Sequence, residues 1–158
     1  MNLKKEIILS LCTIDFLSHT KDLNIPFEYP KDLKDAAKSI NNLQWENLCL
    51  EEIGNVTAFL SKNHKELYKK TWNELAIEIK KQVIPTIEKK LTTLIEEQKI
   101  LKEMINQILF DIINIALYKS YDDIYTSEFY DLLSNIYQSG YIPCGWNGQY
   151  PKGTIKVI

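Results

Sequence analysis

No arginine occurs among the 19 basic residues of this 158-residue chain, all of which are lysine. Arginine is the usual side chain for two-pronged recognition of phosphate and carboxylate. Its absence argues against a nucleotide-handling enzyme or a protein that reads DNA sequence. Cysteine is also scarce, three residues far apart (Cys12, Cys49 and Cys144), which is no disulfide framework and suits a reducing cytoplasm. No run of 18 apolar residues exists to span a bilayer. Glycine and proline number five each, too few for a low-complexity or collagen-like chain. What remains is 45% hydrophobic and 25% charged, enough for one domain, 1–158, with a real core.

The pattern is helical, and the expected class is all-α, mostly: an antiparallel bundle of five to six helices ending in a short β-hairpin or strand. Residues 2–18 place Leu3, Ile7, Leu11, Ile14 and Leu17 on one stripe, closed by His19 to Asp22. A charged, apolar start of this kind resembles a secretion signal, but Asp15 cuts the apolar run short and no A-x-A cleavage site follows. Pro26 and Pro30 mark a loop. Residues 31–43 and 44–62 then each carry an apolar face. The longest signal runs over 64–119, with Leu67, Trp72, Leu75, Ile79, Val83, Ile87, Leu91 and Leu94 on its first stripe. A single helix of that length would reach about 84 Å, so the spacing predicts a kink at Pro85 and a break near Glu97–Lys102. Apolar residues on all sides over 104–117 mark the central helix. Thr126 or Ser127 caps a last helix, with Phe129, Leu132, Leu133, Ile136 and Tyr137 inward and Gly140 at its end. In the tail 141–158, Asn147-Gly148 signals a hairpin turn, Thr154 to Ile158 alternates like a strand, and the aromatic and proline residues clamp the hairpin on the last helix.

Catalytic constellations are wanting. Cys144 lies in a glycine-rich stretch, but neither His19 nor His64 sits in a nucleophile setting. No paired spacing of cysteine or histidine suggests a metal, and no cofactor motif is present. The lysines of 62–102 are interspersed with acids, as on a solvated helix face, which is poor for nucleic-acid binding. The expectation is therefore a protein that is not an enzyme.

Charge and tyrosine concentrate late. Residues 111–140 hold Asp111, Asp122, Asp123, Glu128 and Asp131 against Lys119 alone, and seven of nine tyrosines lie from Tyr118 onward. Tyrosine is enriched at binding hot spots, and clustered carboxylates speed association with a basic partner. Tyr121, Asp122, Asp123, Tyr125, Glu128 and Asp131 are the expected contacts with a basic protein partner. The same residues would equally pack the last helix while the acids stay wet.

The tail Ile142-Pro143-Cys144-Gly145-Trp146-x-Gly148-x-Tyr150-Pro151-x-Gly153-x-Ile155-x-Val157 resembles the C-terminal signature of small bacterial toxin-immunity proteins, notably those of contact-dependent growth inhibition. The resemblance covers this tail alone. It implies a protein that binds and neutralises a cognate toxin domain in the same cell. The acidic surface itself points to occlusion, one to one, of a basic, nucleic-acid-cleaving site on that toxin, by a cytoplasmic monomer or weak dimer. Two other readings stay open: an intracellular enzyme using Cys144, and a self-associating helical scaffold.

Overall fold

A computed structural model describes residues 6, 10–11, 13–19, 22–29, 35, 51, 54–55, 58, 62, 69–70, 72–120, 127–149 and 152–158. The protein is mostly helical with a small three-stranded sheet. The described residues hold four continuous helices, fewer than the five to six expected: 72–82, α1 (Ile84–Thr92), α2 (Gln98–Ser120) and α3 (Glu128–Gln138).

The long apolar stripe accounts for the first three. Leu75, Ile79, Val83, Ile87 and Leu91 are all at most 2% exposed, and full burial of each such side chain stabilises by about 1.5–3 kcal/mol. Pro85 breaks the run as its chemistry requires. It occupies the first turn of α1, where its missing N–H costs nothing, and the discontinuity is confined to Val83. The second break falls at 93–97, earlier than expected. The hydroxyls of Thr92 and Thr93 donate to the carbonyls of Glu88 and Lys90 at 2.6 and 2.7 Å, satisfying acceptors of the last turn. The amides of Leu94 and Ile95 both fold back onto the Leu91 carbonyl. The turn shifts the phase of the stripe, so Leu94 is 49% exposed and Ile95 takes the buried place expected for it.

Residues 111–117 of α2 are buried without interruption, which makes it the central helix. It packs on α1 and on α3. Ser127 caps α3, its hydroxyl accepting from the Tyr130 amide at 3.2 Å. Gly140, at φ 83°, turns the chain out of the helix. Tyr130 is buried on α3 where Leu132 was expected; Leu132 is only half-buried.

The first helix ends sooner than its stripe predicts. Residues 6, 10 and 11 are helical, but 13–19 are turn and coil. Local bonds compete with the ladder: the Thr13 hydroxyl donates to the Ser10 carbonyl, the Ser18 hydroxyl to that of Asp15. The segment is then pinned from outside. Lys90 bonds the Asp15 carboxylate and the Phe16 carbonyl, and the Leu17 amide donates to the Gly140 carbonyl at 2.8 Å. Leu17 and His19 take left-handed backbone (φ 65° and 51°), a strain of about 1–3 kcal/mol each that these bonds hold in place.

The hairpin is part of a larger sheet. Strand β2 (Pro143–Asn147) pairs antiparallel with β3 (Thr154–Val157), and the loop between them has six residues where Asn147-Gly148 suggested a two-residue turn. A third strand, β1 (Phe27–Glu28), pairs parallel with β3, so the order is β1-β3-β2. By its prolines this stretch reads only as a loop. Beyond the strand ends, Ile142 and Ile158 exchange both backbone hydrogen bonds, at 2.7 and 2.9 Å. β2 rests on α3, which places the tail on the last helix as expected.

Candidate functional site

The first turn of α3 carries two of the six expected contact residues. Glu128 and Asp131 are exposed and lie three positions apart, hence on one helix face. Acids here also offset the positive end of the helix. The Tyr118 hydroxyl from α2 braces this turn: it accepts from the Ser127 amide at 2.9 Å and donates to Asp131 at 3.2 Å. Its ring lies 5.4 Å from that of Tyr130. Tyr121, Asp122, Asp123 and Tyr125 lie outside the described residues.

Other members of the acidic, tyrosine-rich stretch turn inward. Tyr130, Tyr137 and Tyr141 are buried, at most 5% exposed. Asp111, which the sequence counts in the net charge of 111–140, is 2% exposed. The Tyr137 hydroxyl donates to one of its oxygens at 2.8 Å and the Gln107 amide to the other at 2.9 Å. Burial outweighs both bonds and pushes the carboxyl up to about 7. The charge that this stretch presents to solvent is smaller than its composition suggests.

Cys144 is buried on β2, and its thiol is pushed up to about 12 by that burial. Such a sulfur stays protonated and is a poor nucleophile. Two of the described signature residues, Trp146 and Gly153, serve the turn. Trp146 donates its indole N–H to the Lys152 carbonyl at 2.8 Å. A Cβ on Gly153 would stand 2.2 Å from the Asn147 carbonyl oxygen. Ile155 and Val157 are core residues. Among the described residues, no group of three or more His, Cys, Asp or Glu could hold a metal, and no helix is long and apolar enough to cross a membrane.

A feature absent from the expected site lies where 13–19 and 22–29 meet the tail. His19 lies flat on Tyr141, centroids 4.0 Å apart and planes within 3°. Its Nδ1 is 3.5 Å from the Tyr29 hydroxyl. Phe27 meets Tyr29 edge-on at 5.4 Å and Tyr141 at 5.7 Å. A bond with the Tyr29 hydroxyl, then burial, then the nearby charges of Tyr29 and Asp22 hold the Tyr141 phenol above its ordinary range. The two-residue spacing of Phe27 and Tyr29 was the only sequence signal, and prolines on both sides hid it.

Comparison with protein-family models, curated proteins and solved structures finds no match to this chain.

Proposed function

We propose that this chain is an immunity protein of the bacterial cytoplasm, a monomer or weak dimer, that neutralises a cognate toxin domain by stoichiometric occlusion. Its acidic face, Glu128 and Asp131 together with Tyr121, Asp122, Asp123 and Tyr125, meets a basic surface on the toxin, that of a nucleic-acid-cleaving domain. The observation that carries this reading is the braced first turn of α3. Two exposed carboxylates project from a helix end fixed by the Ser127 cap and the Tyr118 hydroxyl, so they are ordered before a partner arrives. Preorganised charge raises association rates at little entropic cost. The resemblance of residues 142–158 to immunity proteins adds support independent of that geometry.

The test is co-purification with the product of the adjacent upstream gene. A one-to-one complex that abolishes the toxicity of that product is the expected result. A neighbour that is not a toxin, or one that fails to bind, overturns the reading.

The Cys144 enzyme reading has a separate discriminator. In a Cys12→Ser, Cys49→Ser background, a thiol reagent should label Cys144 no faster than the protein unfolds. Fast labelling of the folded protein would favour the enzyme.

A further inference from the structure

Residues 13–19 are tied down by two parts of the chain that lie far from them in sequence. On one side the Lys90 ammonium, in the last turn of α1, bonds both the Asp15 carboxylate and the Phe16 carbonyl. On the other the Leu17 amide donates to the Gly140 carbonyl, just past α3. Phe16 is the one fully buried side chain of the segment, its ring edge-on to that of Tyr137, and His19 lies flat on Tyr141. Against these holds stands the left-handed backbone of Leu17 and His19. Strain at two such residues is of the same order as the stabilisation from burying one phenylalanine. Packing of Phe16 and backbone strain therefore nearly offset each other, and the polar pins decide whether the segment lies down. The clasp is open to water, with the Lys90 and Asp15 side chains 33% and 61% exposed.

Few buried contacts and solvent-facing polar bonds mark a segment that opens ahead of the rest of a protein. We propose that 13–19 is a sprung strap with Lys90 as its clasp. It opens as a unit while the helices stay folded, lifting Phe16 off Tyr137 and His19 off Tyr141, and so uncovers the C-terminal end of α3. This device is independent of any partner's identity, and the acidic turn lies at the opposite end of α3.

Hydrogen exchange of single amides in the folded protein tests it. The Leu17 amide should exchange at least about a hundredfold faster than those of Ile112 and Ala116 in the central helix, through an opening that mild denaturant does not promote. Lys90→Met keeps the length of the side chain and removes its charge. It should speed Leu17 exchange at least about tenfold while Ile112 and Ala116 stay within about threefold. The Tyr141 amide, bonded to the Ile136 carbonyl at 3.2 Å, reports on the end of α3 and should keep its natural rate. Asp15→Ala, at an exposed position, removes the other half of the clasp and gives the same result should Lys90→Met fail to fold. Three outcomes overturn the proposal: Leu17 exchanging in step with the central helix, an unchanged Leu17 rate in a folded variant, or Leu17 and Tyr141 speeding up together. The last would mean that the end of α3 frays and the strap merely follows it.

Discussion

Asp111 shows how one residue's environment decides its chemistry. From an ordinary value of 3.8, burial in the folded protein pushes its carboxyl up to about 7. A raised acid favours the folded state only while it is protonated. Its contribution is therefore fully present below about pH 4 and is lost as pH rises through about 7, a swing of about 4 kcal/mol at most. Denaturant titrations at a series of pH values should show Asp111→Asn gaining stability relative to the natural protein as pH rises across that window. A constant difference would mean that the folded carboxyl titrates normally. The sequence marks Asp111 as an acid but not as a buried one, because helical periodicity at an all-round apolar helix leaves no polar face to assign it to. Glycine gives a second contrast. At Gly153, φ is 109° and a Cβ would also stand 2.7 Å from the Trp146 indole nitrogen, so Gly153→Ala should destabilise by about 2 kcal/mol or more. Gly54 is helical and exposed with nothing within 4 Å of a Cβ, so Gly54→Ala should stabilise by about 0.5–1 kcal/mol. Thermal melts of the pair would separate backbone strain from helix propensity.

At the scale of elements, legibility followed the strength of local chemistry. Pro85, the Ser127 cap and Gly140 each impose one backbone outcome, and all three ends fall where those residues put them. The break at 93–97 was harder to place, since two threonine hydroxyls stop α1 without proline or glycine. β1 was not legible at all: two residues are too few to show alternation, and its partner is a distant strand. The acidic turn of α3 makes a kinetic prediction. Glu128→Lys with Asp131→Lys should slow association with the proposed toxin partner at least about tenfold, equivalent to about 1.4 kcal/mol, with a smaller effect on dissociation. Asp122→Lys with Asp123→Lys should do the same if that neighbouring pair shares the interface. Each reversed charge in the first turn also costs the helix about 0.3–1 kcal/mol, so stability must be measured beside the stopped-flow rates. An unchanged association rate removes this turn from the interface.

For the whole molecule, the helices rest on neighbours in sequence while the sheet joins distant parts of the chain. The Asn147 amide and the Glu28 carboxylate that meet across it are 119 residues apart. Contacts of such separation form late, because the loop entropy must be met before the contact stabilises anything. Phe27 packs its half-buried ring against the core beside Ile155. Phe27→Ala should therefore raise the unfolding rate by about tenfold or more and leave the refolding rate nearly unchanged, as read from both limbs of a denaturant chevron. Equal changes in the two limbs would place β1 in the folding nucleus. The central position of β3 has a further consequence during synthesis. Until residues 154–157 leave the ribosome, β1 and β2 have no strand between them and the sheet cannot close. A product stalled short of that point would hold its helices without a joined sheet, ready for proteolysis.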